Sequence, residues 1–203
     1  MKLYKQILVS LCGNCLLGLG LALGASAELG LDPCVSFSQS ISNMYGVKLG
    51  TVITCVNILL VIIVLLLEKK NIGLTTLFVV FLNKYPVDFF STLINHSSSL
   101  MINIIFVTIG TFFIALGCNV MIKANIGMGI YDAFIFSISN KTNKEYVIIR
   151  YIVDATFLLL TFLFKGFIGI GTMIAYALTG NLIKYTKPLI DNLINLWQIV
   201  NLF

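Results

Sequence analysis

The sequence predicts an all-α integral membrane protein: six transmembrane helices forming two inverted three-helix repeats, each with a short re-entrant or interfacial helix. Three observations predict it. The composition is too apolar for a water-facing surface, the apolar residues fall into six long runs, and an internal repeat relates two halves of three runs each.

Of the 203 residues, 59% are hydrophobic and only 10% are charged, with a mean hydropathy of +1.01. A soluble domain of this size needs a charged and polar exterior, whereas lipid solvates apolar surface directly. The chain therefore reads as one membrane domain without a water-soluble part.

The runs are Ile7–Ala25, Leu49–Leu67, Ile72–Phe90, Met101–Ile122, Val147–Phe164 and Ile168–Ile183. About 20 apolar helical residues cross a hydrocarbon core of about 30 Å. The second and fourth runs contain no charge. The third carries Lys84, Pro86 and Asp88 near its end, and the sixth is short. The runs are continuously apolar rather than alternating, which argues against a β-barrel. Lys2, Lys5, an apolar run and Ala25-Ser26-Ala27 also fit a cleaved secretory signal. The first run is nonetheless expected to stay attached, because its counterpart in the second half is internal.

Sliding the chain against itself by 97 residues exposes the repeat. Gly13 then meets Gly110, Gly20 meets Gly117, Ala27 meets Ala124 and Gly30 meets Gly127. Ser40-Ile41-Ser42-Asn43 meets Ser137-Ile138-Ser139-Asn140, Asn57 meets Asp154, and Thr75 meets Thr172. With three more residues of shift, Leu82, Lys84, Tyr85 and Leu93-Ile94-Asn95 meet Leu182, Lys184, Tyr185 and Leu193-Ile194-Asn195. Shared hydrophobicity aligns Leu with Ile but not serines and asparagines with themselves. The halves are residues 1–100 and 101–203. Three spans are odd, so the second half enters the membrane from the opposite side. With both termini cytoplasmic, ten basic residues fall inside and three (Lys48, Lys84, Lys165) outside, the positive-inside pattern.

Lysines scattered through short loops, at a net charge of +5, predict no nucleic-acid partner. Four of the five cysteines lie in apolar runs, so no disulfide framework is expected. Cys12 and Cys15 share a helix face, and with His96 far away they read as packing residues rather than a metal or redox pair. No catalytic constellation, metal site or cofactor is predicted.

Function is expected where polar residues interrupt the apolar pattern. Between the first two spans of each half lies one short helix, within Ala27 to Gly46 and within Ala124 to Lys144. Asp32-Pro33 is an N-cap followed by proline at the first helical position. Asp132 falls in the first turn of its own helix, where a carboxylate suits the dipole. About eleven residues reach roughly 16 Å, half the core, so these helices either dip into the membrane or lie on it. Asn57 and Asp154 sit about 10 Å into their spans, and Arg150, one turn before Asp154, offers a structural ion pair as the plain alternative. The expected substrate-binding residues are Asp154, Asn57, Ser40, Ser42, Asp132, Ser137, Ser139, Thr75 and Thr172, lining one cavity between the halves. Gly166-Phe167-Ile168-Gly169-Ile170-Gly171-Thr172 follows a membrane helix and reads as close packing, not a nucleotide loop. Pro188 to Phe203, with Trp197, reads as an interfacial tail helix.

Ala124-Asn125-Ile126-Gly127-Met128-Gly129-Ile130-Tyr131-Asp132-Ala133-Phe134 resembles the "A-x-L-G-x-x-P-W-D-x-hydrophobic" stretch of the bacterial YczE/YyaS/YitT membrane proteins. Gly169-Ile170-Gly171-Thr172 is similar to that family's G-x-G-T. Ile130 stands where the family has proline, Val35 holds the first-half position of Asp132, and Leu74 breaks the first G-x-G-T copy. The resemblance implies a multi-pass bacterial cell-membrane protein with transport suspected. The leading expectation is a small-molecule transporter or permease, with the lipid bilayer and an unidentified small molecule as partners. A substrate-capture subunit of a larger importer and a non-transporting membrane regulator or assembly factor are the alternatives. An enzyme is not expected, and homo-oligomer formation stays open.

Overall fold

A computed structural model describes residues 2–30, 32–47, 49–94 and 97–200, without the side chains of residues 49, 50 and 194–200. Expectations touching Leu31, Lys48, Asn95, His96, the side chain of Trp197 or Phe203 lie outside the described residues.

Among the described residues every regular element is helical: α1 (Leu3–Ser26), α2 (Pro33–Tyr45), α3 (Leu49–Leu67), α4 (Leu74–Leu82), α5 (Lys84–Leu93), α6 (Leu100–Ala124), α7 (Ile130–Thr142), α8 (Tyr146–Leu163) and α9 (Ile170–Val200), with a 3-10 turn at Lys69–Asn71. Helices α1, α6 and α8 are long and apolar enough to cross a membrane, and Thr51–Leu67 is a shorter apolar helix. Large apolar side chains such as Leu66, Phe81, Met101, Phe162 and Phe167 are exposed, whereas buried positions hold many small or hydroxyl residues. That inside-out distribution suits a lipid surround.

The centre of the bundle is the crossing of α1 and α6. A Cβ on Gly20 would stand 2.5 Å from the Gly110 carbonyl oxygen, and one on Gly117 would stand 2.7 Å from that of Gly13. Numbers rise along one helix as they fall along the other, so the pair is antiparallel. Only glycine lets the backbones approach this closely. Helix α9 packs on α6, where the Asn119 amide donates to the Ile183 carbonyl (2.8 Å) and to Thr186 Oγ1 (2.8 Å). Helix α5 packs on α1, with Pro86 pressed into the space at Gly18.

Outside this centre the short helices cross over. Helix α2 packs on α8 and α7 packs on α3. Leu60 and Val64 of α3 form a buried cluster with Ile130 and Ala133 of α7, while Phe37 of α2 lies against Phe157 and Phe164 at 5.6 and 5.8 Å between ring centres.

Three expectations require correction. The third run, read as one span over Ile72–Phe90, is two helices meeting at Asn83. Pro86 has no N–H to give the Leu82 carbonyl, which is where the first helix stops. The tail is not a separate helix beginning at Pro188, because α9 runs through that proline, held to α6 at Ile183 and Thr186 just before it. Cys12 and Cys15 do not pack internally but are exposed on the outer side of α1, since the glycine face of that helix is the one turned inward.

Candidate functional site

Two tight turns lead into α2 and α7. Gly30 and Gly127 adopt φ of +102° and +103°, a region that glycine enters without steric penalty. Each turn is clamped by a glycine from a distant segment. A Cβ on Gly169 would collide with the Leu29 carbonyl oxygen, and one on Gly127 would lie 2.6 Å from the Gly73 nitrogen. Backbone bonds close both clamps: Gly171 N–H donates to the Leu29 carbonyl (2.8 Å) and Thr75 N–H to the Ile126 carbonyl (3.1 Å). Thr76 Oγ1 adds a bond to the Met128 carbonyl (2.7 Å). The glycine-rich stretch before α9 is thus half of a backbone interlock.

The clamps fix where the short helices begin. Asp32 caps α2, accepting from Cys34 N–H at 3.1 Å, with Pro33 in the first turn. Helix α7 starts after Gly129 and carries Asp132 in its first turn. Both N-terminal ends converge on one side chain, Arg150 of α8. Its Nη1 donates to Asp132 Oδ1 at 3.1 Å, its Nε lies 3.5 Å from Asp154 Oδ2, and its Nη2 lies 3.9 Å from Asp32 Oδ2. Tyr146 OH donates to Asp132 Oδ1 (2.7 Å) and accepts from Arg150 Nη1 (2.8 Å). Tyr131 OH donates to Asp154 Oδ1 in a short bond, and the guanidinium stands 5.3 Å from the centre of the Tyr131 ring. Tyr146, Arg150 and Asp154 recur every four residues, which aligns them on one face of α8.

The cluster is almost sealed. The side chains of Arg150, Asp132 and Asp154 are 3%, 5% and 1% exposed, against 15% for Asp32. A guanidinium is the cation best suited here, because its planar fork serves several carboxylates at once. One of its donors is unmet: Nε is buried without a hydrogen-bond acceptor.

Of the residues proposed from sequence, the structure brings Asp132 and Asp154 together, beside Asp32, Arg150, Tyr131 and Tyr146. Other predicted site residues sit elsewhere. Asn57 is half-buried on α3 and among the described residues makes no hydrogen bond to the cluster. Ser40 bonds the Ser36 carbonyl (2.8 Å). Ser137 bonds the Ala133 carbonyl (2.7 Å) and accepts from the Asn71 amide (2.9 Å). Ser42 and Ser139 close the far ends of α2 and α7, donating to the Val47 and Lys144 carbonyls at 2.7 and 2.6 Å. Thr75 accepts from Ser10 at 2.9 Å, and Thr172 pairs with Ser36 at 3.4 Å. Outside the helices, Lys70 and Asn140 hold the Glu68 carboxyl below the usual range by hydrogen bonding.

Two adjoining cavities of about 360 and 250 Å³ share Asn119, Ile122 and Lys187. Ion pairs flank them, Lys123–Asp191 at 2.8 Å and Lys184–Glu145 at 3.6 Å. The smaller cavity reaches Tyr146, the residue bonded to both Asp132 and Arg150.

The uncharacterized protein YyaS of Bacillus subtilis is 26% identical over 182 residues, covering 88% of this chain and 90% of that one. The uncharacterized membrane protein YczE of the same organism is 26% identical over 184 residues, 90% of this chain and 86% of that one. An uncharacterized protein of Haemophilus influenzae is 24% identical over 193 residues, 94% and 87% of the two chains. No solved structure matches significantly. A sequence profile described as "Family of unknown function (DUF6198)" matches residues 4–188. The chain therefore belongs to that family and is a YczE/YyaS-like membrane protein.

Proposed function

We propose that the protein is a small-molecule transporter, built as two inverted repeats of three spans, with its substrate site at the Arg150 cluster. One observation carries the reading: two short helices, one from each half, point their N-terminal ends at a single buried group. Inverted-repeat transporters form their sites from such broken or half-length helices, whose positive ends face the bound substrate.

The inverted arrangement draws support from the antiparallel glycine crossing, in which Gly13 faces Gly117 and Gly20 faces Gly110. Those are equivalent positions exchanged, as a two-fold axis in the membrane plane demands. Left-handed turns also recur in register: Glu28 with Asn125, Gly30 with Gly127, Gly46 with Asn143. In this reading the six crossings are α1, α3, α4–α5, α6, α8 and α9, with both termini cytoplasmic in a bacterial cell membrane. Helices α2 and α7 are re-entrant, because they begin at buried Pro33 and Ile130 and end at exposed Tyr45 and Thr142. The cavities near Tyr146 then open to the cytoplasm. The reading is transport rather than catalysis, since the nearby hydroxyls are committed to structural bonds.

Cysteine accessibility tests both parts. In a protein lacking native cysteines, Tyr45→Cys should react with an impermeant thiol reagent in intact cells, and Asn143→Cys only after permeabilisation. Equal reactivity would remove the inverted topology. With native Cys34 as the only thiol, two residues after the Asp32 cap, alternating access exposes it to reagent from either side in turn. It should react in both right-side-out and inside-out vesicles. Reaction from one side only, or from neither, would mark a closed structural cluster and overturn the transport reading.

A further inference from the structure

We propose that the Arg150 cluster holds one exchangeable proton, seated on Asp32, and that this proton is the coupling ion of the transport cycle. The second half of the statement rests on the transport reading. The first half stands on charge and geometry.

One guanidinium faces three carboxylates, a formal charge of −2 with all groups ionised. The N-terminal ends of α2 and α7 contribute about half a positive charge each. About one negative charge remains unbalanced in a site sealed from water and set among apolar helices. An uncompensated charge there is far more costly than a neutral carboxylic acid. The remaining charged or titratable groups do not cancel it: Tyr131 on α7 and Tyr146 on α8 act as neutral donors to carboxylates. Cys34 on α2 and Cys118 on α6 carry no positive charge, and α3 presents no ionisable residue to the cluster.

The missing positive charge is a proton rather than a metal ion. The carboxylates are arrayed around Arg150, not around a common vacant point, and among the described residues no group is placed to hold a metal. Asp32 is its seat by elimination. Asp132 accepts from both Tyr146 OH and Arg150 Nη1. Asp154 accepts from Tyr131 and pairs with Arg150 Nε. Both carboxylates therefore gain by staying ionised. Asp32 accepts a backbone N–H from Cys34 and stands farthest from Arg150, at 3.9 Å. It is also the most accessible of the three. Exchange with water is open to Asp32 through its own exposure, 15% against 5% for Asp132 and 1% for Asp154.

The test is infrared spectroscopy of the full-length protein in lipid at neutral pH, in water and deuterated buffer. A protonated carboxyl gives a C=O stretch that an ionised one lacks and that shifts on deuteration. The wild type should show this band, Asp32→Asn should lose it, and exposed Asp88→Asn should keep it. Should Asp32→Asn fail to fold, Asp32→Glu must retain the band at a displaced frequency. Absence of the band from the wild type overturns the proposal, as does its persistence in folded Asp32→Asn. Loss of the band on replacing potassium by sodium would assign the site to a metal cation instead. None of these outcomes depends on Cys34 reactivity, so failure of the proton assignment is separable from failure of the transport reading.

Discussion

Replacing Arg150 by Gln is expected to destabilise the folded protein by about 3–5 kcal/mol, the range found when one partner of a buried charge cluster is removed. The glutamine leaves Asp32, Asp132 and Asp154 facing one another with no cation among them. Arg150→Lys should recover only part of the loss, because an ammonium restores the charge but not the fork spanning three carboxylates. Asp154→Asn should behave in the opposite sense. It removes one of the two ionised carboxylates, a loss that release of the Asp32 proton offsets, and leaves Arg150 still paired with Asp132, so stability should stay within about 1 kcal/mol of wild type. Thermal unfolding in lipid nanodiscs, followed by circular dichroism, measures all three. A simple two-residue pair of Arg150 and Asp154 predicts otherwise: Asp154→Asn would be as damaging as Arg150→Gln, and the double change would restore stability. Here the double change should remain destabilised, since Asp32 and Asp132 still lack a cation.

That contrast shows what the sequence makes legible. Arg150 and Asp154 lie one turn apart, so their pairing can be read from spacing alone. Asp132 is visible as a first-turn carboxylate and Asp32 as a helix cap. Nothing local says that these four residues, spread over more than 120 positions, meet at one point. The meeting depends on α2 crossing to α8 and on α7 packing back against α8, which only tertiary packing sets. The serines carry the converse lesson. Their recurrence in both halves makes them look like a lining, but Ser40 and Ser137 each donate to a carbonyl four residues earlier, a local way for a hydroxyl to be satisfied inside a helix. Asn57 matches Asp154 in register, yet its half of the molecule places the apolar Leu60–Val64–Ile130–Ala133 cluster at the α3–α7 contact. Helix boundaries were legible where glycine or Asp-Pro marks them and were missed at Asn83 and Pro188, where proline breaks one helix and is absorbed by the other.

The second large effect is expected at a position with no side chain. Gly127→Ala should cost about 2–6 kcal/mol, combining a left-handed backbone that alanine resists, about 1–3 kcal/mol, with overpacking of similar size. Its Cβ would stand 2.6 Å from the Gly73 nitrogen and 2.7 Å from the Gly73 Cα. These are backbone atoms that cannot swing aside like the end of a flexible side chain. Gly24→Ala is the internal control. Nothing lies within 4 Å of a Cβ there, and the residue sits within α1, so alanine should be neutral or stabilising by up to about 1 kcal/mol through helix propensity. The same unfolding measurement compares the two. The Gly127 variant should also disturb the site, because the turn it holds sets the start of α7 and hence the place of Asp132. Where the variant folds at reduced temperature, single-thiol Cys34 should change its labelling rate, since the Asp132–Arg150 contact helps to hold the end of α2 through Asp32. Equal melting temperatures for Gly127→Ala and Gly24→Ala would show that the Ile126–Gly73 interlock bears no strain, and with it the account of how the short helices are aimed would fall.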